Sequence, residues 1–139
     1  MGRINTQRVI LGGLVAGLLI NIGEFLLNEV VLGEQMRATL AGFNLPEPAG
    51  GAIAVFLLLG FGLGITAVWL YAAIRPRYGA GPKTAICAGL AVWFLACVYP
   101  GVVFAALGFF SNGDTGVALA WELVEVPIGT LVGAWLYQE

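Results

Sequence analysis

The chain has 139 residues, of which 60% are hydrophobic and 10% charged, and its formal net charge is −2. Soluble domains carry about 25% charged residues, so this composition, with a mean hydropathy of +0.94, excludes an ordinary soluble domain and points to an integral membrane protein. Lys and Arg together number 6 and His is absent, which leaves no basic surface for nucleic acid.

Runs of about 20 apolar residues are long enough to cross a ~30 Å hydrocarbon core as helices, and four such runs fit. The predicted spans are 8–32, 51–74, 84–110 and 115–137, making one transmembrane domain over 1–139. The fold class expected is all-α, an integral membrane four-helix bundle. Arg3 and Arg8 before the first run imitate the start of a signal peptide. That run is long, polar at its far end and without a small-x-small cleavage site, so it reads as an uncleaved first span.

The long connection, GEQMRATLAGFNLPEPAG, covers 33–50. Pro46 and Pro48 stop any helix before the second span, and Met36, Leu40 and Phe43 suit a short helix lying on the membrane surface. RPRYGAGPK joins spans two and three. SNGDT is a tight turn between three and four, with Asp114 or Thr115 expected to cap the last helix. Cys87 and Cys97 fall on one helix, ~15 Å apart at ~1.5 Å rise per residue, too far to bridge.

Arg3, Arg8, Arg75, Arg77 and Lys83 fall on one side of the bundle and only Arg37 on the other, so both termini are expected in the cytoplasm. Trp69-Leu70-Tyr71 and Trp135-Leu136-Tyr137 end spans two and four on that same side, where amphipathic rings prefer the interface. VWLYAAI resembles AWLYQ, and RVILGGL resembles KTAICAGL with one residue extra. These matches are compatible with two duplicated hairpins related by a pseudo-twofold axis along the membrane normal, and equally with chance likeness between apolar helices.

The first span carries unexpected polarity in LINIGEFLLNEVVLG. Gly13, Gly17, Asn21, Glu24 and Asn28 recur every three or four residues and so share one helix face. Span four repeats the stripe in reverse, with Glu122 and Glu125 followed by Gly129 and Gly133. If spans one and four pack together, glycine is expected beside glycine and carboxylate beside carboxylate. Small residues let helix backbones approach closely inside a membrane, which is the role expected of the four glycines and of Gly60, Gly62 and Gly64.

The carboxylates need a different explanation. An ionised acid at the centre of a membrane helix costs about 2.5–3.5 kcal/mol, so three unpaired ones cost roughly 7–10. None of the spans supplies a Lys, Arg or His well inside the bilayer to neutralise them. They must be protonated, bonded to one another, hydrated or bound to a cation, and at least one of Glu24, Glu122 and Glu125 is expected to hold a proton near neutral pH. Asn21, Asn28 and Tyr99 are candidate neutral ligands at the same depth. Pro100 and Pro127 free the carbonyls of Ala96 and Leu123, Trp93 and Trp121 are candidate aromatic walls, and Glu29 reads as a solvated helix end.

An all-oxygen donor set suits protons or hard cations, and serves zinc, copper or haem poorly; no cofactor is implied. The first functional reading is therefore a small polytopic protein whose carboxylate cluster handles protons or a cationic ligand. The alternative is a non-enzymatic accessory subunit of a larger membrane complex, since extramembrane mass is small and polar interfaces can simply specify packing. A membrane enzyme using paired carboxylates is weaker, because no Ser/His, Cys/His or metal-binding motif supports it. Expected partners are the lipid bilayer and a second copy of the chain or another membrane subunit.

NIGEFLLNEVVL, the long outer loop, and GGAIAVFLLLGFGLGITAVWLYAAIRPRYGAGPKTA together resemble small bacterial four-helix integral membrane proteins, a likeness that brings no activity with it. A looser similarity is to small multidrug resistance transporters, which have four spans, a membrane glutamate in the first and aromatic residues in the third. That resemblance implies a lipophilic cation at Glu24, Trp93 and Tyr99. The chain departs from those transporters in its additional acids in span four, its longer outer loop and its five-to-one positive bias, which argues against an antiparallel dual-topology dimer.

Overall fold

The computed structural model describes residues 2–138. These are almost all helical, and no strand occurs among them. Four helical segments are long and apolar enough to cross a membrane: Thr6–Val31, Gly50–Tyr78, Pro82–Ala106 and Asn112–Trp135. They are called spans one to four below. The end holding both termini and the 79–81 turn is the terminal end; the other is the far end.

Several boundaries differ from expectation for local reasons. Span one starts at α1 (Thr6–Phe25), where the Asn5 side chain accepts a bond from the Arg8 amide. Span four is α6 (Asn112–Trp135), and its cap is Ser111, with its hydroxyl accepting from the Asp114 amide, so neither Asp114 nor Thr115 serves as the cap. Span three ends four residues early because Gly108 takes a φ of 87°, a left-handed conformation that glycine adopts without a Cβ penalty. Span two, α3 (Gly50–Tyr78), runs past residue 74 and through Pro76. The outer connection does contain a helix, α2 (Gly33–Gly42).

Two spans widen into π-helical turns in their far halves. Span three passes from α4 (Pro82–Trp93) through a π segment at Phe94–Val98 to α5 (Tyr99–Ala106). Pro100 lacks an amide hydrogen and its ring crowds the carbonyl of Ala96, so the helix accommodates it by opening locally. Span one widens at Leu26–Val31 without a proline. There the Asn28 side chain donates to the Glu24 carbonyl at 2.9 Å, taking part in the bonding of the opened turn.

Span one packs against two and four, span three against four and two, and spans two and four meet across the centre. Nearly all buried residues lie in the terminal half. The close approaches there are backbone on backbone. A Cβ on Gly12 would strike the Gly133 carbonyl, and one on Gly64 would strike the backbone of Gly13 and Gly17. Gly129 lies against Ala16 and Ile20, and Gly89 against Pro127. The expected glycine stripe is therefore split: Gly129 and Gly133 meet span one at Gly12 and Ala16, whereas Gly13 and Gly17 face Gly64, Ile65 and Phe61 of span two. Stepping every four residues from Gly12 to Ala16 to Ile20 traces the face toward span four, one position away from the stripe read in the sequence.

The WLY repeats behave alike. Tyr71 and Tyr137 are both buried and meet edge to face at 6.1 Å between ring centroids, while Trp69 and Trp135 point outward. The Tyr71 hydroxyl accepts from the Gly81 amide at the head of span three, and the Tyr137 hydroxyl accepts from the Asn5 amide at the head of span one. Aligning Gly13 with Gly89 also aligns Asn5 with Gly81, so the two bonds are equivalent under exchange of the hairpins.

Candidate functional site

At the far end the packing loosens, and the acids gather where it does so. Glu24 from span one lies within hydrogen-bonding reach of both Glu122 and Glu125 from span four. All three side chains are half-buried. Both carboxylate oxygens of Glu125 are themselves buried and meet no well-placed N–H or O–H donor. The groups nearest to bonding them are the Glu24 carboxyl and the Trp121 indole.

Gly23 makes the contact possible. The Glu125 carboxylate lies flat on it, in the space a Cβ would fill. The Trp121 indole N–H donates to the Gly23 carbonyl at 3.1 Å, fastening span four to span one beside the acids. Trp93 does the equivalent between spans three and four, donating to the Leu119 carbonyl at 3.1 Å. Both tryptophans, expected as aromatic walls, thus clamp helices through backbone carbonyls.

Of the neutral candidates, only Asn28 joins the acids. Its side-chain amide donates to Glu24 Oε2 at 3.0 Å as well as to the Glu24 carbonyl. Asn21 is turned toward span two, donating to the Leu57 carbonyl at 3.1 Å and filling the space beside Gly60. Being three residues before Glu24 gave it the same nominal face, but the seam between spans two and four runs between the two side chains. Tyr99 is 66% exposed and points out of the bundle. Glu29 is exposed, in keeping with its place near the helix end.

Beside the cluster is a cavity of about 250 Å³ between the far halves of spans one, three and four. Its wall includes Asn28, Met36, Cys97, Asp114, Thr115 and Glu122. The sequence reading named Cys97, Asp114 and Met36 for other roles and did not place them at the site. Cys97 falls on the side of span three facing Glu122, and its thiol is within bonding reach of that carboxyl. The helix Gly33–Gly42 brings Met36 to the cavity, while Phe43 stacks near Phe109 of the next turn, with 5.3 Å between ring centroids. Only the pairing of three spans reveals these neighbours, because no periodicity in one helix encodes them.

Among the described residues, no three His, Cys, Asp or Glu side chains are disposed to hold a metal ion. No Lys or Arg borders the cavity. The fold and site thus define a four-helix protein of membrane-spanning type with a carboxylate cluster between its first and last spans. Comparison with family models, with curated proteins and with solved structures yields no match.

Proposed function

We propose that this chain is a polytopic membrane protein that takes up and releases a proton, or exchanges it for a cation, at the Glu24, Glu122 and Glu125 cluster. The observation that carries the reading is Glu24 in contact with two further carboxyls, with no cationic side chain bordering the adjoining cavity. Intramembrane acids that lack cationic partners are functional candidates by default. The absence of a metal-holding arrangement among the described residues favours protons or an organic cation over a metal ion.

The positive bias of Arg3, Arg8, Arg75, Arg77 and Lys83 supports a cytoplasmic terminal end, and the resemblance to small bacterial four-helix membrane proteins implies a bacterial inner membrane. Four spans are few for a transporter, so a homo-oligomer is expected. The test has two parts. Infrared spectra at pH 7 are expected to contain a protonated-carboxyl band that Glu24→Gln shifts. Proton uptake and release by the reconstituted protein after a pH jump, read with a pH-sensitive dye, are expected to fall on Glu24→Gln while the helical circular dichroism is kept. Three ionised carboxylates at pH 7, or unchanged uptake and release, would remove the proposal.

A second reading, an accessory subunit, is favoured by how little of the chain lies outside the spans. Elution from mild detergent together with unrelated chains, rather than alone or as a homo-oligomer, is its signature.

A further inference from the structure

The proton reading leaves open how the cluster is reached, and the packing on its two sides differs. Toward the terminal end, the turn next to the acids is closed. Ile20 and Val126 are each 1% exposed and Thr130 is fully buried, with its hydroxyl donating to the Val126 carbonyl at 2.7 Å. Gly129 rests on Ala16 and Ile20, so no gap remains between spans one and four at that level. Toward the far end lies the ~250 Å³ cavity. At ~30 Å³ per water it has room for several, and each water needs two to four polar partners. Asn28, Asp114, Thr115 and Glu122 in its wall can supply them.

Glu122 is the one member of the cluster in that wall; Glu24 neighbours it, and Glu125 stands about one helical turn closer to the terminal end. Resting on the proton reading above, we infer that the cluster exchanges protons with the far side alone. Water in the cavity delivers them to Glu122, Glu24 relays them, and Glu125 is the innermost acceptor. Asp114 stands in the first turn of span four, half-buried in the same wall, and is assigned as the group that holds water at the cavity mouth. The relay balances without a further reactant: a proton entering on a Glu122 oxygen is matched by one passed from Glu122 to Glu24, and the return runs in reverse. Met36 of the outer helix borders the same space.

The experiment uses the full chain with Cys87→Ala and Cys97→Ala, reconstituted in vesicles of known sidedness relative to an N-terminal tag. Ala118→Cys puts a thiol in the cavity wall, at a half-buried position one helical turn from Glu122. A small membrane-impermeant trimethylammonium thiosulfonate is added to one face at a time. Labelling is expected from the far face and not from the terminal face. Labelling from the terminal face, or from neither, overturns the inference. The labelled protein, with its cavity filled, is then expected to exchange its carboxyl proton for deuterium at least tenfold more slowly, read from the infrared band. An unchanged exchange rate also overturns it. Sidedness depends on packing and the band on protonation, so failure of this inference and failure of the proton reading register in different measurements.

Discussion

The two ends of this bundle solve opposite problems. At the terminal end, glycines bring backbones into contact and two buried tyrosines bond the heads of neighbouring spans. At the far end, two helices open into π turns, a cavity of about 250 Å³ remains with Glu122 in its wall, and the neighbouring Glu125 buries two oxygens that lack a well-placed donor. Inside a membrane no hydrophobic effect drives helices together, so close packing and hydrogen bonds must do so. A chain that spends its best packing at one end can leave the other loose enough for polar groups and water. The difference puts the close packing and the candidate site at separate levels of the same four helices.

The largest effect expected from disturbing this division is at the glycine contact. Gly64→Val directs a branched side chain into the backbone of Gly13 and Gly17, and neither can yield as a flexible side chain would. Overpacking costs about 1–3 kcal/mol and occasionally more, and this position belongs at the top of that range. Unfolding in mixed detergent is expected to shift by about 3 kcal/mol. Gly62→Val, two residues away with open space around its Cβ position, is the control and is expected to change little.

The next effect has the opposite sign. Glu125 buries two oxygens without a well-placed donor, and a buried polar group left unsatisfied costs about 1–3 kcal/mol that an apolar side chain does not. Glu125→Leu is therefore expected to raise stability by about 1 kcal/mol while reducing the carboxyl infrared band and the proton uptake. A loss of stability would mean that the acid cluster holds the far end together and that the contrast between the ends is false.

How much of this was legible in the sequence follows from what a helix encodes by itself. Span number and approximate limits came from apolar length, and the pairing of Glu24 with Glu122 and Glu125 came from two stripes of matching depth. Rotation about the helix axis was not encoded so well. Gly12 and Gly13 are adjacent, and choosing the second sent the stripe to span two; Asn21 went with it. Tyr99 was placed at the right depth, but depth does not fix the direction a side chain points. Cys97 and Asp114 were missed because the cavity is formed by three spans at once. The signal that could have found the true seam was Gly23, whose lack of a side chain directly before Glu24 leaves room for an incoming carboxylate.

Trp121 offers a smaller and more local test. Its indole fastens Gly23 at the boundary between the tight and loose halves. Trp121→Phe keeps most of the ring and removes one hydrogen bond, which is worth about 1 kcal/mol. The expected result is that loss in stability, together with faster hydrogen exchange at amides of 24–31 and no change near the termini. Uniformly faster exchange would show that the two ends open as one unit.

The smallest effect tests whether the two hairpins are equivalent. Tyr71→Phe and Tyr137→Phe each remove a hydroxyl that accepts from one backbone amide, at 3.3 Å from Gly81 and 3.2 Å from Asn5 respectively. Such bonds inside membrane proteins average about 0.6 kcal/mol. If the two hairpins are equivalent, the two losses are expected to agree within about 0.3 kcal/mol, whereas the double variant is expected to depart from additivity because the rings touch. One feature breaks the equivalence: the Arg75 guanidinium lies 5.4 Å from the centre of the Tyr137 ring. A cation over an aromatic face acts through the ring, which phenylalanine retains, so it does not disturb the comparison. Tyr137→Leu removes the ring as well, and its excess loss over Tyr71→Leu would then measure what Arg75 adds to one hairpin alone.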